Sequence, residues 1–285
     1  MVRKGNLLYN GDFETGTTEE WILGPFGLMT QHNLTVSPEA CLRGYYGGML
    51  EAVVNGAETY LAYDKMCSFE EYEAYLFVFP FNLVNGLYNL GQLYGLDDKG
   101  NLLEKFWLGY NDTLGEWRKI VALLRGFSDI THFKVGAYVL SQNSGDKFYF
   151  DEVKLYPLKS IKSIELAEVR NFYDVQTNTD WYSGLACIGQ CRLRSIIKVQ
   201  NISGTSATLD IDIYTGLFTL DGPAYYIKHS QFSADGFEEI KIDLPEVSWI
   251  YIKYTVGGDN PRFNIYHNLR VEPDKTVLEA EGGAL

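Results

Sequence analysis

The sequence predicts an all-β protein made of two β-sandwich domains, and three observations support this fold class. The chain of 285 residues contains 21 Tyr, 16 Phe and 5 Trp, and aromatic residues favour the pleated, half-buried surface of a sheet. Helical periodicity is confined to Ser68–Ala74, which is long enough for one short turn only. Strand-like runs recur at close spacing with turn sequences such as Asn143-Ser144-Gly145-Asp146 between them.

The predicted strands fall into two series of seven. The first series is Gly48–Val54, Tyr72–Asn82, Gly86–Leu96, Lys105–Tyr110, Trp117–Leu124, Thr131–Leu140 and Lys147–Tyr156. The second series is Ile164–Phe172, Leu193–Asn201, Ala207–Thr215, Ala224–His229, Glu238–Leu244, Ser248–Val256 and Phe263–Val271.

A domain boundary is predicted where the pattern breaks at Pro157 and the short polar stretch Lys159–Ser163 follows. We therefore expect a first sandwich over residues 1–158, a second, Ig-like or jelly-roll-like sandwich over 159–272, and an acidic tail over 273–285. Both domains are long enough to have a core of their own.

The net charge of −13 makes nucleic acid and anionic membrane surfaces poor partners, and it suits a neutral glycan or a divalent cation. No run reaches the length of about 18 apolar residues that a membrane span needs. The N-terminal sequence MVRKGNLLYN has no apolar stretch behind its basic residues, so it does not resemble a secretory signal. We expect an extracellular or cell-surface protein, with the export route left open.

The four cysteines fall two per domain: Cys41 with Cys67, and Cys187 with Cys191. This distribution fits two local disulfides in an oxidising compartment, and it fits buried thiols equally well. A Cys187–Cys191 disulfide requires Gly189 to turn the chain, because residues four apart on a straight strand are about 13 Å apart. A zinc site there lacks its second pair of ligands.

Four landmarks give the first half a family resemblance. Residues 6–21 are NLLYNGDFETGTTEEW, residues 43–48 are RGYYGG, residues 116–119 are EWRK, and residues 147–155 are KFYFDEVKL. In this order they resemble carbohydrate-binding modules of the family 4/9 type. The resemblance implies a galactose-binding-like jelly roll that binds polysaccharide and catalyses nothing.

The resemblance also implies a structural Ca²⁺ ion held by acidic residues of the first and last strands. Asp12, Glu14 and Asp151 are the matching residues here, and calcium prefers several oxygen ligands. The alternative is that Glu14 and Asp151 cap turns. Phe13, Trp21 and Trp117 are expected in the core.

A glycan site in this fold needs flat aromatic faces for the sugar ring and polar groups for its hydroxyls. The middle strands offer Tyr75, Gln92, Tyr94, Trp107 and Tyr110. Alternation along the strand puts Lys105, Trp107 and Gly109 on one face, and Phe106, Leu108 and Tyr110 on the core face.

No catalytic motif is present: there is no nucleophile elbow, phosphate-binding glycine loop or paired-histidine helix, so we expect no enzyme. Two functional hypotheses remain. The favoured one is a self-assembling structural subunit of an extracellular filament, sheath or surface layer, whose partner is itself; the alternative is a soluble or secreted polysaccharide-binding protein.

Three features favour the structural hypothesis. Tyr72–Leu83 is apolar on both faces, no catalytic domain accompanies the module, and the C-terminal tail can add to the sheet edge of a neighbour. Residues 198–209 also resemble β-sandwich repeats of surface, appendage and phage structural proteins.

Overall fold

The computed structural model describes residues 6–69, 74–126, 130–158, 166–216, 225–245 and 247–273. The chain divides into unit 1, Met1–Ile161, and unit 2, Lys162–Leu285. The all-β prediction is confirmed, since strands dominate both units and the helical elements of the described ranges are the 3₁₀ turns Pro25–Gly27 and Pro38–Ala40. None of the described helices is long and apolar enough to cross a membrane. The predicted boundary stretch 159–163 lies outside the described residues, as does the tail from residue 274.

The described part of unit 1 contains twelve strands. They are β1 (Trp21–Leu23), β2 (His32–Ser37), β3 (Gly47–Ala52), β4 (Glu58–Tyr63), β5 (Cys67–Ser68), β6 (Ala74–Leu83), β7 (Tyr88–Leu96), β8 (Leu102–Asn111), β9 (Trp117–Leu124), β10 (His132–Leu140), β11 (Lys147–Phe150) and β12 (Lys154–Leu158).

These strands form two antiparallel sheets. Sheet A has the order β1-β4-β10-β7-β8, with β5 also paired to β10. Sheet B has the order β9-β6-β11-β3-β2, with β12 also paired to β6. The chain crosses repeatedly between the two sheets, for example from β6 to β7 and from β8 to β9, as in a jelly roll.

An aromatic cluster holds the two sheets together. Phe13 packs edge-on against Phe150 with 5.1 Å between the ring centroids, and it stacks on Trp21 at 5.7 Å. Trp21 also contacts Tyr63 of β4, and Phe150 stacks on Phe79 of β6. All five rings are buried, so the prediction of core positions for Phe13 and Trp21 is confirmed. Aromatic pairs of this kind contribute about 1 kcal/mol each beyond the burial of their area.

Seven strands lie in the described residues of unit 2, and two of them are very long. They are β13 (Leu166–Val175), β14 (Thr179–Ser183), β15 (Leu185–Cys187), β16 (Cys191–Gly216), β17 (Tyr225–Phe232), β18 (Gly236–Leu244) and β19 (Trp249–Pro273). β16 and β19 pair along their whole length, from Cys191 opposite Pro273 to Gly216 opposite Trp249. At one end of this hairpin the outer strands are β18 and β13, and at the other end they are β17 and β14.

The long hairpin bends in its middle, and the bend converts one sheet into a sandwich. Three register shifts fall between Gln200 and Thr208. Tyr254 and His267 lie 13 residues apart on β19, a span of about 43 Å if the strand were straight. The Tyr254 hydroxyl is nevertheless 2.7 Å from Nδ1 of His267. The two halves of β19 therefore face each other across the core of unit 2.

Several predicted strands differ from the observed ones. Lys147–Tyr156 is interrupted at Asp151, giving β11 and β12. Leu193–Asn201 and Ala207–Thr215 are parts of the single strand β16, and two further predicted strands merge in β19, because the intervening turn residues remain paired across the hairpin. The motif at residues 9–20 forms consecutive turns rather than a first strand.

His267 should make unit 2 sensitive to acid. Its ring is fully buried between the Ser195 hydroxyl, 2.6 Å from Nε2, and the Tyr254 hydroxyl. Burial lowers the pKa of His267 from 6.5 to about 3. Between these two pH values the imidazole is protonated in the unfolded chain and neutral in the folded chain. The contribution of His267 to the free energy of unfolding is fully present above pH 6.5. It is lost as the pH falls towards 3, by up to about 1.4 kcal/mol per pH unit.

We therefore expect His267→Gln to flatten the pH dependence of unfolding between pH 6.5 and 4. Urea unfolding, followed by tryptophan fluorescence to which the neighbouring Trp181 contributes, measures this. An unchanged slope in His267→Gln would contradict the prediction.

Candidate functional site

The loop 41–46 of unit 1 is held by two carboxylates from distant parts of the sequence. Oδ2 of Asp151 accepts hydrogen bonds from the backbone N–H groups of Leu42 at 2.8 Å and Arg43 at 2.9 Å. Oε1 of Glu14 accepts from the N–H groups of Tyr45 at 2.7 Å and Tyr46 at 3.1 Å. The N-terminal turns and the end of β11 thus meet at one loop.

Asp151 is completely buried, and its other oxygen accepts from the N–H of Glu152 at 2.7 Å. Burial raises the pKa of Asp151 to about 6, although the three N–H donors act in the opposite direction. The backbone at Glu152 has a positive φ of 53°, and this kink ends the ladder of β11 and starts that of β12. Because the strand breaks here, the Asp151 carboxylate can accept hydrogen bonds from three backbone N–H groups.

Gly44 is required where Glu14 approaches the loop. Its φ is 102°, and a Cβ atom there would lie 2.2 Å from Oε1 of Glu14. The backbone conformation disfavours any side chain at this position, and a Cβ atom would displace the Glu14 carboxylate from its hydrogen bonds to the loop.

The predicted calcium ligands are only partly brought together. Glu14 and Asp151 converge on the loop 41–46, as a shared site requires, but both already accept backbone N–H bonds. Asp12 makes no contact with this pair that the structure records; it borders a shallow cavity with Glu14 and Glu152. Among the described residues no group of three or more His, Cys, Asp or Glu side chains is arranged to hold a metal. Calcium binding stays a prediction.

The structure differs from the predicted disulfides. Cys41, Cys67, Cys187 and Cys191 form no disulfide in the described part of the chain. Cys41 and Cys67 are half-buried, and Cys187 and Cys191 are buried, the latter at the start of β16. The alternative of buried thiols fits the second pair.

Three of the predicted glycan-binding residues are core residues instead. Tyr75 is buried and donates to the carbonyl of Ser68. Tyr94 is fully buried with its hydroxyl 3.0 Å from the carbonyl oxygen of Leu61, and burial raises its pKa. Gln92 is fully buried and donates to the carbonyl of Phe106 at 2.8 Å. None of these side chains is accessible to a sugar.

Trp107 instead belongs to a set of neighbouring aromatic rings on the outer surface of sheet A. We call this set the aromatic face; its members are Tyr60, Tyr88, Trp107, Tyr110 and Tyr138. Ring centroids are 4.9 Å apart for Trp107 and Tyr138, 4.8 Å for Tyr60 and Tyr138, and 5.3 Å for Tyr88 and Tyr110. Four of the rings are half-buried, and Tyr138 is 6% exposed beneath them. The face thus crosses the four strands β4, β10, β7 and β8.

A bulge in β8 places Tyr110 on this face rather than in the core. Phe106 and Leu108 are buried, as alternation predicts. Gly109 has a φ of 65°, and the register between β7 and β8 shifts by one residue beside it. The extra residue reverses the alternation, so Tyr110 points to the same side as Trp107.

Sequence reasoning missed Tyr60, Tyr88 and Tyr138. Each lies on a strand whose polar and apolar residues do not alternate cleanly, and the three come together only through pairing. Tyr60 lies opposite Tyr138, and Tyr138 opposite Leu90, two residues from Tyr88. A prediction of the strand order would have been needed to find them.

The prediction of a core position for Trp117 is also wrong. It was expected in the core, but it lies half-buried opposite Asn82 of β6, on the outer side of sheet B. The inner side at this place is occupied by Phe79 and Phe81.

Comparison with known proteins gives structural similarity only. No family model matches the sequence, and no curated protein matches. Similar solved structures include a family 61 carbohydrate-binding module in complex with β-1,4-galactotriose, with 17% identity over 54% of this chain and 99% of that chain and a TM-score of 0.40.

A tandem of two family 22 modules from Paenibacillus barcinonensis Xyn10C is 10% identical over 95% of this chain and 99% of that chain, with a TM-score of 0.40. A family 22 module of Clostridium thermocellum Xyn10B is 15% identical over 55% of this chain and 97% of that chain, with a TM-score of 0.41. These are carbohydrate-binding modules, the class that the sequence resembles. Similarity at this level does not extend to ligand or activity, and family 4/9 membership stays a prediction.

The anchoring of the loop 41–46 can be tested by Asp151→Ala. The substitution leaves three backbone N–H groups without their acceptor, so we expect the free energy of unfolding to fall by about 3 kcal/mol. Asp97→Ala is the matched control: Asp97 also accepts two backbone N–H bonds, but it does so in an exposed turn. There water replaces the lost acceptor, so the loss should be clearly smaller than at Asp151. Urea unfolding measures both, and equal losses would contradict the burial argument.

Proposed function

We propose that unit 1 binds a polysaccharide through the aromatic face. The observation that carries this proposal is the continuous set of half-exposed rings on the outer side of sheet A. Sugar rings present flat C–H surfaces that pack against aromatic rings, so a row of such rings suits a glycan chain. Nothing in the fold requires these rings at the surface, because sheet A has its own core face on the other side.

Polar groups border the aromatic face and suit sugar hydroxyls. Nζ of Lys105 lies 4.6 Å from the centre of the Tyr60 ring and 3.3 Å from its hydroxyl. At the other side Lys134 pairs with Asp64 at 2.8 Å and lies 5.7 Å from the ring of Phe26. Phe26 is 40% exposed on a short turn above Tyr94. Direct hydrogen bonds from such groups orient a ligand that stacking alone leaves free to slide.

The proposed protein is non-catalytic and binds polysaccharide outside the cell. It follows the polysaccharide-binding hypothesis rather than the filament hypothesis. The acidic net charge of −13 is compatible with a neutral glycan.

Self-assembly is not supported by the described part of the chain. The C-terminal tail that was expected to add to a neighbour lies outside the described residues from 274 onward. The outer side of β6 is apolar at Val78 and Pro80, as predicted, but these two residues border a cleft of their own unit. Monodisperse particles in negative-stain microscopy at all concentrations would exclude the filament hypothesis; polymers would restore it.

Trp107→Ala tests the glycan site. Removing the indole should weaken glycan binding by at least tenfold, about 1.4 kcal/mol or more, as is typical of a central aromatic contact. Tyr173→Ala is the control, since Tyr173 is a 65% exposed ring on β13 of unit 2. A glycan array identifies the ligand, and calorimetry with that ligand compares the variants. An array without any binding, or equal affinity of Trp107→Ala and the unsubstituted protein, would overturn the proposal.

Calcium is a further part of the proposed function of unit 1. Glu14 and Asp151 would be its carboxylate ligands, and calcium bound only by the folded state raises the melting temperature. We expect chelator to lower the melting temperature of the protein, and Glu14→Gln to abolish the difference between melts with calcium and with chelator. An identical melting temperature with and without chelator would remove the proposed ion.

A further inference from the structure

A cleft on the outer side of sheet B lies opposite the aromatic face and has different chemistry. Its volume is about 340 Å³, within the range of small-ligand sites. Strand pairing explains its composition: Lys119 lies opposite Pro80, and Lys154 lies opposite Val78, so these four side chains share one face. Trp117 shares it too, two residues before Lys119. We call this site the cationic cleft; its residues are Arg43, Val78, Pro80, Trp117, Lys119 and Lys154.

Arg43 enters the cationic cleft from the loop 41–46. Its backbone N–H is fixed by Asp151, 2.9 Å from Oδ2. The side chain is therefore attached to an anchored backbone rather than to a free loop. A fixed starting point reduces the conformational entropy that an arginine loses when it binds an anion.

The charges in and around the cleft do not cancel. Lys154 pairs with the buried Glu152 at 2.5 Å, and Arg118, which also borders the cleft, pairs with Glu116 at 2.8 Å. Arg43 and Lys119 are exposed and make no salt bridge within the described residues. Two positive charges therefore remain unpaired in a chain whose net charge is −13.

We propose that the cationic cleft binds a pyranose that carries an anionic group, with the sugar ring against Trp117 and the anion between Arg43 and Lys119. The half-buried indole provides the flat apolar surface that a sugar ring needs, and Val78 and Pro80 form apolar walls. Arg43 supplies a planar fork of donors that matches a carboxylate or a sulfate, and Lys119 adds a point charge.

The acidic remainder of the surface restricts which anions fit. Exposed charges further away than about 8 Å are largely screened at physiological salt, so a single anionic group in the cleft experiences mainly Arg43 and Lys119. A nucleic acid has closely spaced phosphates along its whole length, which extend into the acidic surroundings. A short acidic stretch of a polysaccharide avoids this repulsion.

This inference goes beyond the proposed function, because it concerns the other sheet and another class of ligand. Neither site depends on the other: Trp107 lies on β8 of sheet A, whereas Arg43 lies on the loop 41–46 and lines the cleft on sheet B. Variants at the two sites separate the failure of one proposal from the failure of the other.

The experiment is calorimetry on the full chain with four probes: a hexamer of galacturonic acid, its methyl ester, a sulfated galactan oligomer of equal length, and inorganic sulfate. We expect the charged hexamer or the sulfated oligomer to bind more tightly than the methyl ester and than inorganic sulfate. The affinity should fall as salt is raised from 50 to about 500 mM, because the ion contacts are screened.

The test variant is Arg43→Gln with Lys119→Gln, which should weaken binding of the acidic oligomer by at least about tenfold, since each contact to a charged group is worth about 1.5 kcal/mol or more. The control variant is Lys65→Gln with Lys99→Gln, which changes the net charge equally at exposed sites outside the cleft. Tyr173→Ala, at an exposed ring of unit 2, should bind the acidic oligomer normally.

Four results would overturn the proposal: no binding of either acidic oligomer, equal affinity for the methyl ester, equal affinity for inorganic sulfate, or equal losses in the test and control variants. Thermal melting of each variant guards against unfolding, and Trp117→Phe provides an independent variant that keeps a ring but reduces the stacking area.

Discussion

Asp151 is the residue on which the architecture of unit 1 most depends. A buried carboxylate requires donors around it, and Asp151 obtains them by ending β11, accepting from its own neighbour and fixing Leu42 and Arg43. The same kink starts β12, which lies along β6 and contributes Lys154 to the cationic cleft. One polar group therefore links the core, the loop 41–46 and the surface.

The two outer faces of unit 1 show how one sandwich can offer two different surfaces. In both sheets the inner side is filled with Phe, Leu and Val residues, so the outer residues are free to serve binding. Sheet A presents four half-buried rings above the buried Tyr138, whereas sheet B presents one indole with arginine and lysine. The difference resides in few positions, such as Trp107 on β8 and Lys119 on β9, and each position is set by strand register rather than by sequence proximity.

Local sequence was sufficient for the fold class and for much of the strand content, but not for the candidate sites. The run Trp117–Leu124 coincides with β9, because its ends are marked by turn sequences. Tyr75 was placed wrongly because its side of β6 is the inner one, where it packs against Phe133 of β10. Gln92 and Tyr94 do face the side of Trp107, which is the cross-strand partner of Gln92, but they are buried there. The turn that carries Phe26 covers Tyr94, and such covering by another element cannot be read from the strand alone. Tyr110 depends on the bulge at Gly109, and Tyr60 and Tyr138 meet only across β4 and β10.

The long hairpin of β16 and β19 has a consequence for how unit 2 unfolds. Both halves of its sandwich contain the same two strands, and the buried contacts between Tyr254 and His267 join the halves. Neither half can detach without breaking the ladder of the other, so partial opening is costly. Amide protons on the two halves of β19 should then exchange with similar free energies, as members of one cooperative unit rather than of two.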